Sequence, residues 1–258
     1  MNAVLDGLLT AGQITRADGT TVALHSSATR EEGEALQRLI RAHKPQVTLE
    51  VGLAYGISAL FICEALAEVG GRTHIAIDPF QRGWDNLGLR HLEQAGFGPL
   101  VEHHDAPSFR ALPALEAAGR RVGFAFIDGW HTFDYAMVDF FYVDLLLEPG
   151  GVLVLDDAWS YPAIRKLARY IAKHRRYTPI DTGVAPTRRR PLIHSLLAPL
   201  TASAVRARLE KIIQPAILVP DASLGLPPHD LVAFVKTGDD VLGDGSAGSR
   251  RWDQHVEF

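Results

Sequence analysis

Short apolar runs that end in polar or acidic residues alternate with amphipathic stretches along most of this chain. Val47 to Val51, Thr73 to Ile77, Leu100 to His104, Val122 to Ile127 and Gly151 to Leu155 read as strands. The near-continuous apolar character of most of these runs predicts parallel strands covered on both faces. Between them apolar positions recur at helical spacing. Thr29-Arg30-Glu31-Glu32 has the spacing of a capping box, and Ala35, Leu36, Leu39 and Ile40 give the helix after it an apolar face, which Pro45 stops. Ile57, Leu60, Phe61, Leu66 and Val69 define a second helix, closed by Gly70-Gly71. Further helices are predicted over 87–95, 109–118 (interrupted by Pro113) and 162–174. In another, Phe133, Ala136, Met137, Phe140 and Leu147 share one face, which puts Asp134, Asp139 and Asp144 largely elsewhere. The chain before Thr29 reads as irregular.

Repeated strand–helix units imply right-handed crossovers and an α/β fold: a Rossmann-like, doubly wound, mostly parallel sheet. Tyr177 to Asp181 and Leu231 to Lys236 are two late strands with no helix tightly between them, so an antiparallel hairpin is expected at one edge. The organisation expected is an N-terminal extension and helix over 1–45 and an α/β core over 46–181. An insertion over 182–228, a substrate cap or dimer contact, precedes a final strand and tail over 229–258.

Composition narrows the function. A chain of 258 residues, 47% hydrophobic, can bury a sizeable core, and its net charge of −4 argues against a broad basic face for nucleic acid. The single cysteine, Cys63, precludes an internal disulfide and fits a reducing compartment. No signal-peptide pattern or run of transmembrane length is present, so a soluble, cytoplasmic protein without a membrane partner is expected.

The candidate chemistry sits at the strand ends. Phe126-Ile127-Asp128-Gly129-Trp130-His131 and Val152-Leu153-Val154-Leu155-Asp156-Asp157 bring three carboxylates to two neighbouring tips, a set of oxygens suited to a hard divalent cation such as Mg²⁺. His131 adds a titratable base. Trp130 and Trp159 flank this site as walls for an acceptor. Upstream, Glu50-Val51-Gly52-Leu53-Ala54-Tyr55-Gly56 departs from the G-x-G-x-x-G dinucleotide fingerprint. Gly52 and Gly56 let backbone approach a ligand, Glu50 suits a cationic group, Asp78 suits ribose hydroxyls, and Asp105-Ala106 suits an adenine edge. This ordered set favours an adenosine ligand that lacks phosphates and carries positive charge.

These motifs resemble the class I S-adenosylmethionine-dependent methyltransferases, and within them the metal-dependent small-molecule O-methyltransferases of the catechol, caffeoyl-coenzyme A and macrolide-sugar types. The resemblance runs from about Ser26 to Trp159. It implies cofactor contacts from Glu50, Gly52, Tyr55, Gly56, Ser58, Asp78, Asp105, Ala106 and Asp128. It implies metal ligation by Asp128, Asp156 and Asp157, the last standing where asparagine is often found. His131 occupies the general-base position, which is lysine in the catechol type and histidine in the macrolide-sugar type. The implied activity is methyl transfer to a hydroxyl of a small molecule, a sugar or a phenolic diol, by a homodimer. A metal-independent N- or O-methyltransferase and a non-catalytic cofactor-binding module are the alternatives.

Overall fold

Seven strands form the sheet on which the site is built. A computed structural model describes residues 2–16, 18–24, 28–186 and 220–239. The strands are β3 (Val47–Val51), β4 (Thr73–Ile77), β5 (Val101–His104), β6 (Val122–Ile127), β7 (Leu147–Leu155), β8 (Tyr177–Ile180) and β9 (Val232–Lys236). They lie in the order β5-β4-β3-β6-β7-β9-β8. The first five pair in parallel, whereas β9 is antiparallel to both β7 and β8. The expected Rossmann-like sheet with an antiparallel edge is the observed one, the last strand being threaded between β7 and the edge.

Alternate side chains serve opposite faces. Phe124, Phe126, Val152 and Val154 pack with Leu36 and Ile40 of α2 (Arg30–His43) and with α3 (Ile57–Glu68). Ala125, Ile127, Leu153 and Leu155 pack with Phe140 of α6 (Phe133–Leu146) and Leu167 of α7 (Pro162–His174). Helices α4 (Leu87–Gln94) and α5 (Ser108–Ala117) complete the crossovers. Thr29 and Glu32 form the predicted capping box at α2. Cys63 is fully buried, and that burial raises its thiol pKa.

Four expectations are corrected. The start of the chain is not irregular: α1 (Ala3–Ala11) is capped by Asn2, and β1 (Gln13–Thr15) pairs with β2 (Thr21–Ala23) in a small hairpin. Helix α5 runs through Pro113 without a break. The strand expected from Gly151 begins at Leu147, with Gly150 in the left-handed region. Asp139 and Asp144, expected largely off the apolar face of their helix, are buried with it. Asp144 accepts a hydrogen bond from Tyr177 Oη at 2.7 Å and pairs with Arg175, whereas Asp139 Oδ1 has no partner. Burial lifts the Asp139 carboxyl to about 6. His25-Ser26-Ser27, Arg188-Arg189-Arg190, most of the expected insertion and the glycines of 243–248 lie outside the described residues. Among the described residues, no helix is long and apolar enough to cross a membrane.

Candidate active site

Strand β3 pairs with β4 on one side and β6 on the other, so the sheet's order reverses at its carboxyl end. Open α/β sheets bind ligands at such a crevice. Two glycines shape it. Gly52, at φ +95°, follows β3, and a Cβ there would lie 2.1 Å from the Asp128 carbonyl oxygen at the end of β6. Gly56, at φ +77°, opens α3, and a Cβ there would lie 2.9 Å from the Gly88 carbonyl oxygen. No side chain fits at Gly52, and both positions favour glycine's left-handed backbone.

Asp78, just beyond β4, ties down the turn between these glycines. Its Oδ2 accepts from Leu53 N at 3.2 Å, Ala54 N at 2.9 Å and Gln81 Nε2 at 2.8 Å, while Oδ1 accepts from Phe80 N at 2.7 Å. Glu50 lies deeper. It accepts from the Ser58 hydroxyl and sits 3.3 Å from His74 Nε2, with both side chains fully buried. Tyr55 is buried edge-on against Trp84, with ring centroids 4.6 Å apart. Asp105 instead pairs with Arg82 at 3.2 Å, and Ala106 packs against the main core.

The turn and the acidic tips share one cleft of about 1070 Å³. Gly52, Tyr55, Ser58, Asp78, Asp128, His131, Asp156 and Asp157 line it, whereas Glu50, Gly56, Asp105 and Ala106 do not. Pro107, Ser108 and Phe109 line the side expected of Asp105-Ala106. Trp130 lines it too, but Trp159 does not and lies under the Arg165 guanidinium, 5.1 Å from the ring centroid. Phe109, Tyr135 and Tyr161 are lining residues that sequence reasoning missed; no periodic signal marks them.

Ladder-like bonds carry the acids past their strands: Asp128 N donates to Val51 O at 3.0 Å and Asp156 N to Ile127 O at 3.1 Å. Asp157 takes the left-handed backbone at φ 57°, which aspartate tolerates better than most residues, and its N–H donates to Asp156 Oδ1 at 2.8 Å. One possible donor atom each from Asp128, His131 and Asp157 falls within 4.8 Å of the others. That grouping puts His131 where Asp156 was expected, and Asp156 sits beneath, more deeply buried. His131 Nε2 lies 2.7 Å from Asp157 Oδ2 and 3.6 Å from Asp128 Oδ1, and its ring stacks on Tyr161 at 4.2 Å. Close as these carboxylates are, the nitrogen meets neither in full hydrogen-bond alignment.

Electrostatics record the crowding. Burial first and neighbouring carboxylates after it lift Asp128 to about 6, with His131 pulling the other way, and lift Asp156 well above the usual carboxylate range. Asp128 and Asp157 together hold the His131 imidazole up at about 10.

The fold is that of the class I methyltransferases, and the Methyltransferase domain model matches residues 49–158, which hold the glycine turn, Asp78 and the three carboxylates of the two acidic tips. Curated relatives include caffeoyl-CoA O-methyltransferase 2 of Zea mays, 30% identical over 140 residues, covering 50% of this chain and 49% of that protein. Tapetum-specific methyltransferase 1 of Arabidopsis thaliana is 29% identical over 141 residues, covering 53% of this chain and 57% of that protein. The chain thus spans about half the length of the curated relatives it matches. Solved structures that share the fold include an O-methyltransferase from Bacillus cereus, in complex with SAH (TM-score 0.58, 20% identity, 70% of this chain and 83% of that one). TomG from Streptomyces achromogenes, in complex with SAM, matches more of the chain (TM-score 0.54, 20% identity, 92% of this chain and 91% of that one).

Proposed function

We propose that this protein is an S-adenosylmethionine-dependent O-methyltransferase that acts on a hydroxyl of a small molecule with the help of a divalent cation. One observation carries the reading: the cleft joins the Gly52–Gly56 turn and Asp78 to Asp128, His131 and Asp157, whose donor atoms gather at its floor. The residues fit a cation. Buried carboxylates of like charge destabilise one another without a counter-charge, and the inward nitrogen of His131 is left without an aligned partner. Asp128, Asp156 and Asp157 would hold Mg²⁺, which supplies Lewis acidity that eases ionisation of an acceptor hydroxyl. The glycine turn and Asp78 would hold the cofactor, whose sulfonium supplies an electrophilic methyl group.

The chain's own residues do the remaining work. His131 Nε2 accepts the acceptor's proton, an effect typically worth about 10²–10⁴-fold. Asp128 and Asp157 stabilise the imidazolium that results, and the Tyr161 stack fixes the ring plane. Trp130 and Tyr135, whose rings lie 6.5 Å apart, wall the acceptor off from water.

The 2.7 Å contact between His131 and Asp157 favours one competing reading, a metal-independent methyltransferase in which the imidazolium takes the cation's place and the carboxylates bind the acceptor directly. Chelation separates the two. Loss of methyl transfer with EDTA and its recovery with Mg²⁺ supports the metal-dependent reading; full activity in EDTA rejects it. The sequence-based expectations of a homodimer and a cytoplasmic location belong to this proposal, and a sedimentation measurement tests the first.

A further inference from the structure

Resting on the metal-dependent reading, we infer that Asp230 is a positioning residue: it holds the loop over 157–161 in the shape that presents Asp157 to a cation and Tyr161 to the His131 ring. Three of the five N–H groups of that loop go to this one residue. Ala158 N donates to Asp230 O at 2.9 Å, and Trp159 N and Ser160 N both donate to Asp230 Oδ1, at 3.1 and 2.7 Å. The other two close the loop on itself, Asp157 N on Asp156 Oδ1 at 2.8 Å and Tyr161 N on Asp157 O at 2.9 Å. Backbone N–H groups away from water need such acceptors, so Asp230 supplies most of what fixes the loop. Both ends of the loop serve the site. Asp157 keeps a left-handed backbone at φ 57°, a conformation that persists in a non-glycine residue where the surroundings impose it. Tyr161 lies nearly parallel to the His131 ring, at an interplanar angle of 18°. Ser160 and Tyr161 line the cleft, whereas Asp230 does not, so it acts through the loop.

Asp230 is itself fixed from two directions. It is followed by the fully buried Leu231 and by β9, where Val232 stands opposite Leu155, the last residue of β7. That register brings Asp230 level with the acidic tip. Upstream, α7 grips the chain that leads to it. Arg165 donates to Asp221 Oδ2 from Nε at 3.0 Å and from Nη2 at 2.9 Å, and its Nη1 donates to Pro227 O at 2.8 Å. Leu226 and His229 are buried between these anchors. The same Arg165 guanidinium covers the Trp159 ring, so that side chain belongs to the brace rather than to the acceptor wall expected of it. The chain from 221 to 231 thus braces the tip of β7. Residues that orient a metal ligand from outside typically change metal affinity by about 10–100-fold when they are removed.

The test is calorimetric titration of Mn²⁺ into the full chain loaded with S-adenosylhomocysteine, for the parent and three variants. Asp230→Ala removes the acceptor and should weaken Mn²⁺ binding by about tenfold or more. Its affinity for S-adenosylhomocysteine should stay within about twofold of the parent's, because the glycine turn is built on other strands. Asp230→Asn keeps an acceptor oxygen in place without the charge and should bind Mn²⁺ within about threefold of the parent. Asp230→Glu keeps the charge but moves the acceptor by one methylene, and should lose most of what alanine loses. The contrast between asparagine and glutamate also decides the matter if the alanine variant does not fold. Unchanged Mn²⁺ affinity in Asp230→Ala overturns the inference. So does the reverse ranking, with glutamate tolerated and asparagine not, which would make Asp230 a source of charge rather than of shape. Equal losses of Mn²⁺ and S-adenosylhomocysteine affinity would show general loosening and overturn it too. A parent that binds S-adenosylhomocysteine but no Mn²⁺ overturns it together with the metal-dependent reading, and leaves cofactor binding standing.

Discussion

The Nε2 atom of His131 lies 2.7 Å from Asp157 Oδ2, yet it is not fully aligned to donate a hydrogen bond to it. Hydrogen bonding and charge from Asp128 and Asp157 both favour the protonated ring, and a shared cation would make these groups ligands or neighbours of one centre. Without a cation, the two carboxylates keep the imidazole protonated, with a pKa of about 10.

Metal and proton should therefore compete. A divalent cation repels the imidazolium and lowers its pKa, so binding near neutral pH must expel the proton that His131 holds. Carboxylates lifted by burial release protons in the same direction. Mn²⁺ affinity should rise with pH through the neutral range, with about one proton released per ion. Calorimetry in two buffers of different ionisation enthalpy measures that proton directly. Release should shrink in His131→Ala.

Much of the fold was legible because parallel buried strands announce themselves as apolar runs, as Val122 to Ile127 does. The acidic tips were legible for the same reason, since a charge that ends such a run stands out. What could not be read depends on pairing across the sheet. Thr48 stands beside His74 in the β3–β4 register, and that neighbour turns Glu50 inward, away from the cleft. Helical periodicity placed Asp139 off the apolar face, but α5 and the Asp128-Gly129 turn close over it: a Cβ on Gly129 would stand 3.4 Å from Asp139 Oδ2.

Asp139 should make stability depend on pH in a definite direction. Its folded pKa of about 6 exceeds the ordinary 3.8, so the folded state binds its proton more tightly than the unfolded state does. Its contribution is fully present below 3.8 and is lost as pH rises through about 6. The shift corresponds to about 3 kcal/mol at neutral pH, at about 1.4 kcal/mol per unit. Asp139→Asn should be more stable than the parent at mildly alkaline pH, and the gap should close on acidification toward pH 4. Urea midpoints measured across that range check the sign.

Gly52→Ala should be far more damaging than Gly12→Ala. Both glycines have positive φ, but a Cβ at Gly12 meets nothing within 4 Å, whereas at Gly52 it meets the Asp128 carbonyl at 2.1 Å. The first change costs roughly 1 kcal/mol, mostly from backbone conformation. The second must also part β3 from β6 and carry Asp128 away from the cleft, at a total of about 3 kcal/mol or more. Thermal melts rank the two, and Mn²⁺ binding to whatever Gly52→Ala protein folds reports the displaced carboxylate.

Asp78→Ala should weaken cofactor binding by two routes. It removes a charged acceptor for ribose hydroxyls, worth roughly 1.5–3 kcal/mol. It also frees Leu53 N and Ala54 N, which Asp78 now holds in the glycine turn. Calorimetry with S-adenosylhomocysteine measures the affinity, and faster amide exchange at Leu53 and Ala54 reports the loosened turn. Unchanged affinity would remove Asp78 from the site.

His131→Ala separates the two roles open to the imidazole. As general base, His131 takes a proton from the acceptor, so its loss should cut turnover by about 10²–10⁴-fold. Cofactor affinity should hardly change, because the Asp78 turn is built from other elements. The acidic limb of the rate profile should vanish with it, since protonation of the imidazole is what closes the parent enzyme at low pH. A ligand role moves a different quantity: Mn²⁺ affinity falls in the variant, and excess cation restores turnover. Turnover lost with cation affinity intact assigns the base. A variant within about threefold of the parent, with its acidic limb unmoved, would show that the metal-bound acceptor ionises without help and leave His131 the task of positioning Asp157.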